Sequence, residues 1–181
     1  MILPPYAVRE VTPPTSKPEF FFLGTQRADV TYLHPRVRDM ARSDRLPPLE
    51  AFVESILYAE NEVAILDPHF DAIHGLPALF EMNAILDSNA AFRIISKKKK
   101  PTEWLEEQPN WRTIDRRVQW KEVRHDWIHG RFALVDGVLW HFGSTVGGMY
   151  PAFDAATRWY EPGVCTNYHR HFDRLWAERS A

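Results

Sequence analysis

Two short apolar runs joined by Asp136-Gly137 constrain the fold of this chain more than any other stretch. The runs extend over Phe132 to Val135 and Val138 to Phe142, and each has the length of a strand. Asp-Gly between two such runs is a strong signal for a two-residue β-hairpin turn, because glycine adopts positive φ without steric cost. We therefore expect a hairpin whose open end displays the residues that flank it.

Reactive side chains flank this hairpin. Because side chains alternate along a strand, His129 and Arg131 are expected on one face with Gly130 between them. After the second strand, Gly143-Ser144 and Gly147-Gly148 give a flexible loop whose amides and hydroxyls can approach an anion. An imidazole can attack phosphorus, and a fixed cation can hold the oxygens on which charge builds. The grouping favours a phosphodiester-cleaving site that needs no metal or other cofactor.

The spacing of these residues resembles the motif of the phospholipase D-like superfamily, His-x-Lys-x4-Asp-x6-Gly-Ser-x-Asn. The chain has His129-x-Arg131, four residues, Asp136, six residues and then Gly143-Ser144, so each spacing is kept. Arg131 stands at the lysine of the motif and keeps its charge with a different geometry. Val146 stands at the asparagine and has no side-chain donor. The resemblance extends from about Leu49 to Trp176 and is strongest between His129 and Ser144.

The resemblance implies an α/β fold of the phospholipase D-like sandwich type, with a mixed, mostly parallel sheet flanked by helices. It implies His129, Arg131, Asp136 and Ser144 as the catalytic group, with Arg131, Gly143 and Ser144 binding phosphate. In the superfamily the aspartate of the motif is thought to be structural. Read alone, Asp136 is a turn residue and His129 an interior histidine.

The resemblance also implies an assembly and a substrate. Superfamily sites use two motifs, one histidine forming a phosphohistidine while the other protonates the leaving oxygen. This chain has one motif, so we expect a homodimer. Single-motif members are mostly nucleases, which favours a hydrolase acting on nucleic acid such as DNA. A downstream acidic residue usually orients the histidine, and Asp154 and Glu161 are candidates whose spacing does not match the family.

Two alternatives stay open. In one, the altered motif no longer cleaves, and the protein is a module that binds nucleic acid or a partner protein. In the other, the chain forms a heteromer with a related chain that carries the full motif and performs the chemistry.

Composition narrows the class of protein. A chain of 181 residues with 45% hydrophobic residues can form a compact domain, and a formal net charge of −2 gives no overall attraction for nucleic acid. The single cysteine, Cys165, excludes an internal disulfide and fits a reducing compartment. The first residues do not resemble a signal peptide, and no apolar stretch approaches the ~20 residues of a membrane span. We expect a cytoplasmic protein without a membrane partner.

Proline divides the chain. Eight of the 14 prolines lie in residues 1–48, which we expect to be an extended arm. The arm has a possible short strand at Glu19 to Leu23 and one or two helical turns between Arg36 and Arg45. Residues 49–181 are expected to form the α/β domain.

Periodicity predicts the elements of that domain. Apolar residues at helical spacing predict helices, and short apolar runs predict buried strands. Helices and strands that alternate indicate parallel pairing through crossovers. The predicted elements are a helix starting after Pro48, a strand at Val63 to Leu66, a helix at Leu76 to Leu86, a strand at Ala91 to Ile95, a short helix from Thr102 to Gln108, a strand at Val118 to Trp120, and a helix from Cys165 to Glu178.

Two further stretches carry polar residues at strand ends. Lys97, Lys98, Lys99 and Lys100 follow the strand at Ala91 to Ile95 and are either a solvated loop or contacts to a nucleic-acid backbone. Asp67-Pro-His-Phe-Asp71 follows the first buried strand and also resembles the opening strand of phospholipase D-like domains. It is either a turn or a source of site residues in His69 and Asp71.

Overall fold

The computed structural model of the protein describes residues 19–22, 47–71, 75, 76, 79, 84–126, 128–143, 145, 146 and 155–178. Its centre is a seven-stranded sheet. In chain order the strands are β1 (Glu19–Phe22), β2 (Glu62–Leu66), β3 (Ala91–Ser96), β4 (Val118–Glu122), β5 (Phe132–Val135), β6 (Val138–Phe142) and β7 (Ala155–Trp159). Helices in the described part of the chain include α1 (Pro47–Leu57), α2 (Ala84–Asp87), α3 (Thr102–Glu106), α4 (Trp111–Arg117) and α5 (Pro162–Ala177).

The sheet is mixed, and its spatial order is β1-β7-β6-β5-β2-β3-β4. Strands β2, β3 and β4 are parallel neighbours, as expected for strands joined by helical crossovers. The other neighbouring pairs are antiparallel, because the hairpin reverses the chain at β5 and β6. The predicted α/β fold with a mixed sheet and flanking helices is confirmed. Among the described strands, however, two of the six neighbouring pairs are parallel and four are antiparallel, so parallel pairs are fewer than the mostly parallel sheet that was expected.

Alternation along the strands divides the core into two layers. Val63 and Ile65 of β2 pack on one face with Phe52 of α1. Ala64 and Leu66 point to the other face, against Phe172 of α5. Every residue of β5 is buried, which explains why its sequence is continuously apolar.

Charged side chains hold α5 against the second face. The Arg93 guanidinium of β3 pairs with Glu62 of β2, and its Nη2 lies 2.9 Å from Oδ1 of Asp173 in α5. The same guanidinium lies 4.9 Å from the Phe172 ring centre. His169 Nδ1 lies 2.9 Å from Asp173 Oδ2. These contacts fix the helix that forms one wall of the cavity described below.

The hairpin is found where the sequence predicted it, with a strand in each of the two apolar runs. Asp136 has φ of 46° and Gly137 has φ of 83°, as a type I′ turn requires. The Asp136 carboxylate also accepts hydrogen bonds from the backbone N–H groups of Glu60, Asn61 and Glu62, at 2.7, 3.0 and 2.8 Å. The turn is thereby attached to the start of β2.

Other boundaries differ modestly from those predicted. Helix α1 begins at Pro47, since proline fits the first helical turn. The short strand expected at Glu19 to Leu23 is β1, and it pairs with β7 at the edge of the sheet, so this part of the predicted arm belongs to the sheet. Helix α4 and strand β7 were not predicted. Leu76 and Leu79 of the helix expected at Leu76 to Leu86 are buried.

Some predictions concern residues outside those described: the helical turns at Arg36 to Arg45 and the rest of the arm apart from β1 and Pro47-Pro48. Within the described residues, no helix combines the length and apolar character needed to cross a membrane.

Candidate active site

One end of the sheet collects most of the residues that the sequence singled out. Strand β5 runs antiparallel to β2, so Phe132 at its start lies opposite Leu66 at the end of β2. His141 near the end of β6 also lies opposite Phe132. The segment before β5, the loop after β6 and the loops after β2 and β3 therefore meet at the same end.

His129 is exposed and lies before the start of β5. It lines an open cavity of about 360 Å³ between this end of the sheet and α5. Because His129, Gly130 and Arg131 all precede β5, the strand alternation that was expected to place His129 beside Arg131 does not apply to them. The imidazole nonetheless reaches a solvent-open cavity, as a reacting group must.

The cavity has an apolar side and a polar side. Leu66, Ile128 and Phe132 form the apolar side. His141 and two residues of α5, Asn167 and His171, contribute polar groups. The described lining residues include no lysine, arginine, aspartate or glutamate.

Arg131 contacts the end of β6 and the residue after it. Its Nη1 donates a hydrogen bond to the Gly143 carbonyl at 2.7 Å, and its own carbonyl accepts from the Phe142 N–H at 3.0 Å. Its Nε is buried and has no hydrogen-bond partner among the described residues. Arg131 does not line the cavity. The structure thus brings Arg131 to Gly143, as expected for a phosphate-binding loop, and sets His129 on the side of α5.

Asp67 is a central residue of this end of the sheet that sequence analysis treated only as a turn former. Its side chain is buried, and its carboxylate accepts hydrogen bonds from the N–H groups of His69 at 2.8 Å and Val146 at 2.7 Å. Burial raises the pKa of Asp67, opposed by these two hydrogen bonds and by the positive charges of Arg131 and His69. The Asp-Pro pair after a buried strand was the available signal, and the turn reading of this stretch agrees with the His69 contact.

Val146 packs in the first core layer and is fully buried. The Val146 side chain therefore does not face solvent. The close approach of Gly75 to Val146 shows how tightly the loop is packed: a Cβ added at Gly75 would lie 2.5 Å from the Val146 carbonyl oxygen and 2.5 Å from Phe70 Cε2.

The remaining predicted residues are placed as follows. Asp136 lies at the opposite end of β5 from His129, so its inclusion in the catalytic group is corrected to the structural role given by its three backbone contacts. Glu161 caps α5 by accepting from the N–H groups of Gly163 and Val164, so its carboxylate is committed there. Ser144 and Asp154 are outside the described residues.

The lysine run lies at the same end of the sheet. Lys97 Nζ donates to the Asp126 carbonyl at 3.4 Å, and Lys100 Nζ donates to Asp115 Oδ1 at 2.6 Å. Lys98 and Lys99 are exposed. Two of the four ammonium groups therefore have partners within the chain, and two face solvent. Across the described residues, no group of three or more His, Cys, Asp or Glu side chains is arranged to hold a metal ion.

Comparison with known proteins extends the description of the fold. No protein-family model and no curated protein sequence matches the chain. Among solved structures, the fold matches NucT from Helicobacter pylori with a TM-score of 0.54 and 11% identity, over 88% of this chain and 95% of that chain. The chain therefore shares with NucT the α/β fold, a mixed sheet flanked by helices, that was predicted from the sequence.

Two further structures have lower scores. Nuc from Salmonella typhimurium, a phospholipase D family member, has a TM-score of 0.48 and 12% identity over 71% of this chain and 88% of that chain. TrmBL2, an archaeal chromatin protein, has a TM-score of 0.49 and 11% identity over 82% of this chain. The chain spans 60% of the length of TrmBL2.

Proposed function

We propose that the protein is a metal-independent phosphodiesterase of the phospholipase D-like superfamily, that it cleaves nucleic acid, and that it acts as a dimer. The observation that carries the proposal is the exposed imidazole of His129 beside an open cavity, at the sheet end where Arg131 meets the Gly143 loop. The guanidinium of Arg131 is anchored to the Gly143 carbonyl at this end, where it would hold phosphate oxygens in the proposed reaction.

The proposed reaction has two steps. An imidazole nitrogen of His129 attacks phosphorus, the bond from phosphorus to the leaving oxygen breaks, and a second histidine gives that oxygen a proton. Water then attacks the phosphohistidine, releases His129 and returns a proton to the second histidine. A single imidazole cannot attack and donate from opposite sides at once, so the second histidine is assigned to His129 of another copy of this chain.

Nucleic acid is proposed as the substrate because of the lysine run. Lys98 and Lys99 are exposed at the same end of the sheet as His129, where they can contact phosphates on either side of the scissile bond. Such contacts would be independent of base sequence and sensitive to salt.

The test is cleavage of single-stranded and duplex DNA in EDTA. We expect turnover in the wild type and a loss of about 10³-fold or more in His129→Ala. His125→Ala is the matched control, since His125 is also partly exposed and lies 2.8 Å from Glu178 instead of facing the cavity. Equal activity of His129→Ala and wild type, or activity that disappears in EDTA, would overturn the proposal. Sedimentation should give a dimer, and a monomer would contradict the two-histidine scheme.

A second function is favoured by two specific observations: the Arg131 Nη1 is engaged by Gly143, and Val146 buries the position of the motif asparagine. In this alternative the protein binds nucleic acid or a partner protein without cleaving. DNA binding that persists without turnover, and that weakens in Arg131→Ala, would support a protein that binds nucleic acid without cleaving it. A heteromer with a related chain that carries the full motif would instead restore cleavage on mixing.

A further inference from the structure

We infer that the cavity beside His129 is a subsite for a nucleobase, which holds the base next to the phosphate that His129 attacks. The inference rests on the proposed function for its substrate class and goes beyond it by assigning the side of α5 to base recognition. His129 belongs to both the proposed subsite and the proposed catalytic site, because it lines the cavity and carries the proposed chemistry.

The apolar lining and the volume of the cavity suit a base. Leu66 and Ile128 offer apolar contact, and Phe132 and Tyr168 line the same space with their rings 4.9 Å apart in an edge-to-face arrangement. Aromatic and aliphatic surfaces of this kind accept any base by stacking or packing. The volume of about 360 Å³ lies in the range of small-ligand sites.

The polar groups of the cavity suit the edge of a base. The Asn167 amide offers a donor and an acceptor side by side, the pairing with which asparagine binds adenine. The imidazoles of His141 and His171 each carry one donor and one acceptor when neutral. Bases display donors and acceptors in alternation along their edges, so this lining matches them better than it matches a group with acceptors alone.

The charge of the cavity argues against a phosphate subsite. Its described lining residues carry no fixed positive charge. The nearby fixed cation, Arg131, is directed to the Gly143 carbonyl and lies outside the lining. An uncharged ring therefore fits the cavity, and the phosphate would lie at the exposed His129.

The test compares adenosine, adenosine monophosphate and ribose 5-phosphate by calorimetry on the full chain. We expect adenosine and adenosine monophosphate to bind, and ribose 5-phosphate to bind roughly tenfold more weakly than the nucleotide. Asn167→Leu should weaken adenosine binding by roughly tenfold. Thr166→Ala is the matched control, because Thr166 is the exposed neighbour of Asn167 on α5 and does not line the cavity.

A second measurement guards against a folding artefact. In the folded wild type, adenosine should shift the imidazole proton resonances of His141 and His171 and leave those of His125 unchanged. Absence of adenosine binding, equal binding of ribose 5-phosphate and the nucleotide, or an unchanged affinity in a folded Asn167→Leu variant would overturn the subsite.

The two proposals fail in different ways. DNA cleavage in EDTA without adenosine binding would remove the subsite and keep the phosphodiesterase. Adenosine binding that depends on Asn167, without cleavage, would keep the subsite and point to the binding module.

Discussion

The Asp67 carboxylate accepts a hydrogen bond from the Val146 N–H at 2.7 Å, and so links the end of β2 to the loop after β6 across 79 positions of sequence. Asp67 also accepts from the His69 N–H, and its side chain is fully buried. Val146, after the end of β6, is therefore fixed to the end of β2 by the side chain of Asp67.

Replacement of Asp67 by alanine should destabilise the protein. The buried Val146 N–H and the partly buried His69 N–H would lose their acceptor, and a buried, unpaired donor costs about 1–3 kcal/mol in the free energy of unfolding. Urea unfolding of Asp67→Ala measures the loss. Asp87→Ala is the control, because that aspartate is exposed and should change the free energy little.

Asp67 should also make stability depend on pH. Its pKa in the folded state is raised above the ordinary 3.8, chiefly by burial, so the folded protein keeps a proton that the unfolded chain has lost. The contribution of protonated Asp67 to the free energy of unfolding is fully present below about pH 3.8 and is lost as the pH rises through the raised pKa. Relative to Asp67→Asn, the wild type should lose stability over that interval, and parallel pH profiles would contradict this.

Asp136 should have the opposite pH dependence. Burial opposes its ionisation, but the N–H groups of Glu62, Glu60 and Asn61 lower the pKa below the ordinary 3.8. The contribution of ionised Asp136 to the free energy of unfolding is present above about pH 3.8 and is lost as the pH falls through the lowered pKa. Asp136→Asn preserves the turn, since asparagine tolerates positive φ. We expect the variant to be less stable at neutral pH and the gap in urea midpoint to close in acid. A gap that persists in acid would show that charge is not its cause.

Gly75 should tolerate no side chain. It has φ of +79°, and an added Cβ would lie 2.5 Å from the Val146 carbonyl oxygen, so Gly75→Ala meets both backbone strain and a backbone clash. We expect a loss of about 1–3 kcal/mol or more in thermal or urea unfolding. Gly137→Ala is the matched control, because Gly137 has φ of +83° and open space around its Cβ position. Equal losses in the two variants would exclude the clash.

If the protein binds nucleic acid as proposed, Lys98 and Lys99 should dominate its salt dependence. Both are exposed, whereas Lys100 is held by Asp115. For duplex DNA, each lost phosphate contact should reduce the slope of log K against log salt by about 0.9. The double variant Lys98→Ala/Lys99→Ala should therefore have a shallower slope than Lys100→Ala. An unchanged slope would show that Lys98 and Lys99 belong to a solvated loop and do not contact phosphates.

Prediction from sequence succeeded where neighbours along the chain decide the structure. The hairpin turn and the apolar runs of β5 and β6 were located correctly, because an Asp-Gly turn between apolar runs is a local signal, but the first strand was expected to include His129 and Arg131 and begins only at Phe132. Helix α4 and strand β7 were missed. The segment Ala155–Trp159 has no apolar run, and its extended conformation depends on pairing with β6 and β1.

The sequence by itself determined the α/β alternation, the hairpin and the resemblance to the phospholipase D-like motif, since all three depend on spacing within short stretches. Only the tertiary structure decided that His129 faces a cavity beside α5, that Arg131 turns to Gly143, and that Asp67 is an anchor. These relationships depend on strand order and on where each strand starts. Strand β5 begins at Phe132, so His129 and Arg131 both precede it, and the alternation of an unbroken strand does not decide which way they point.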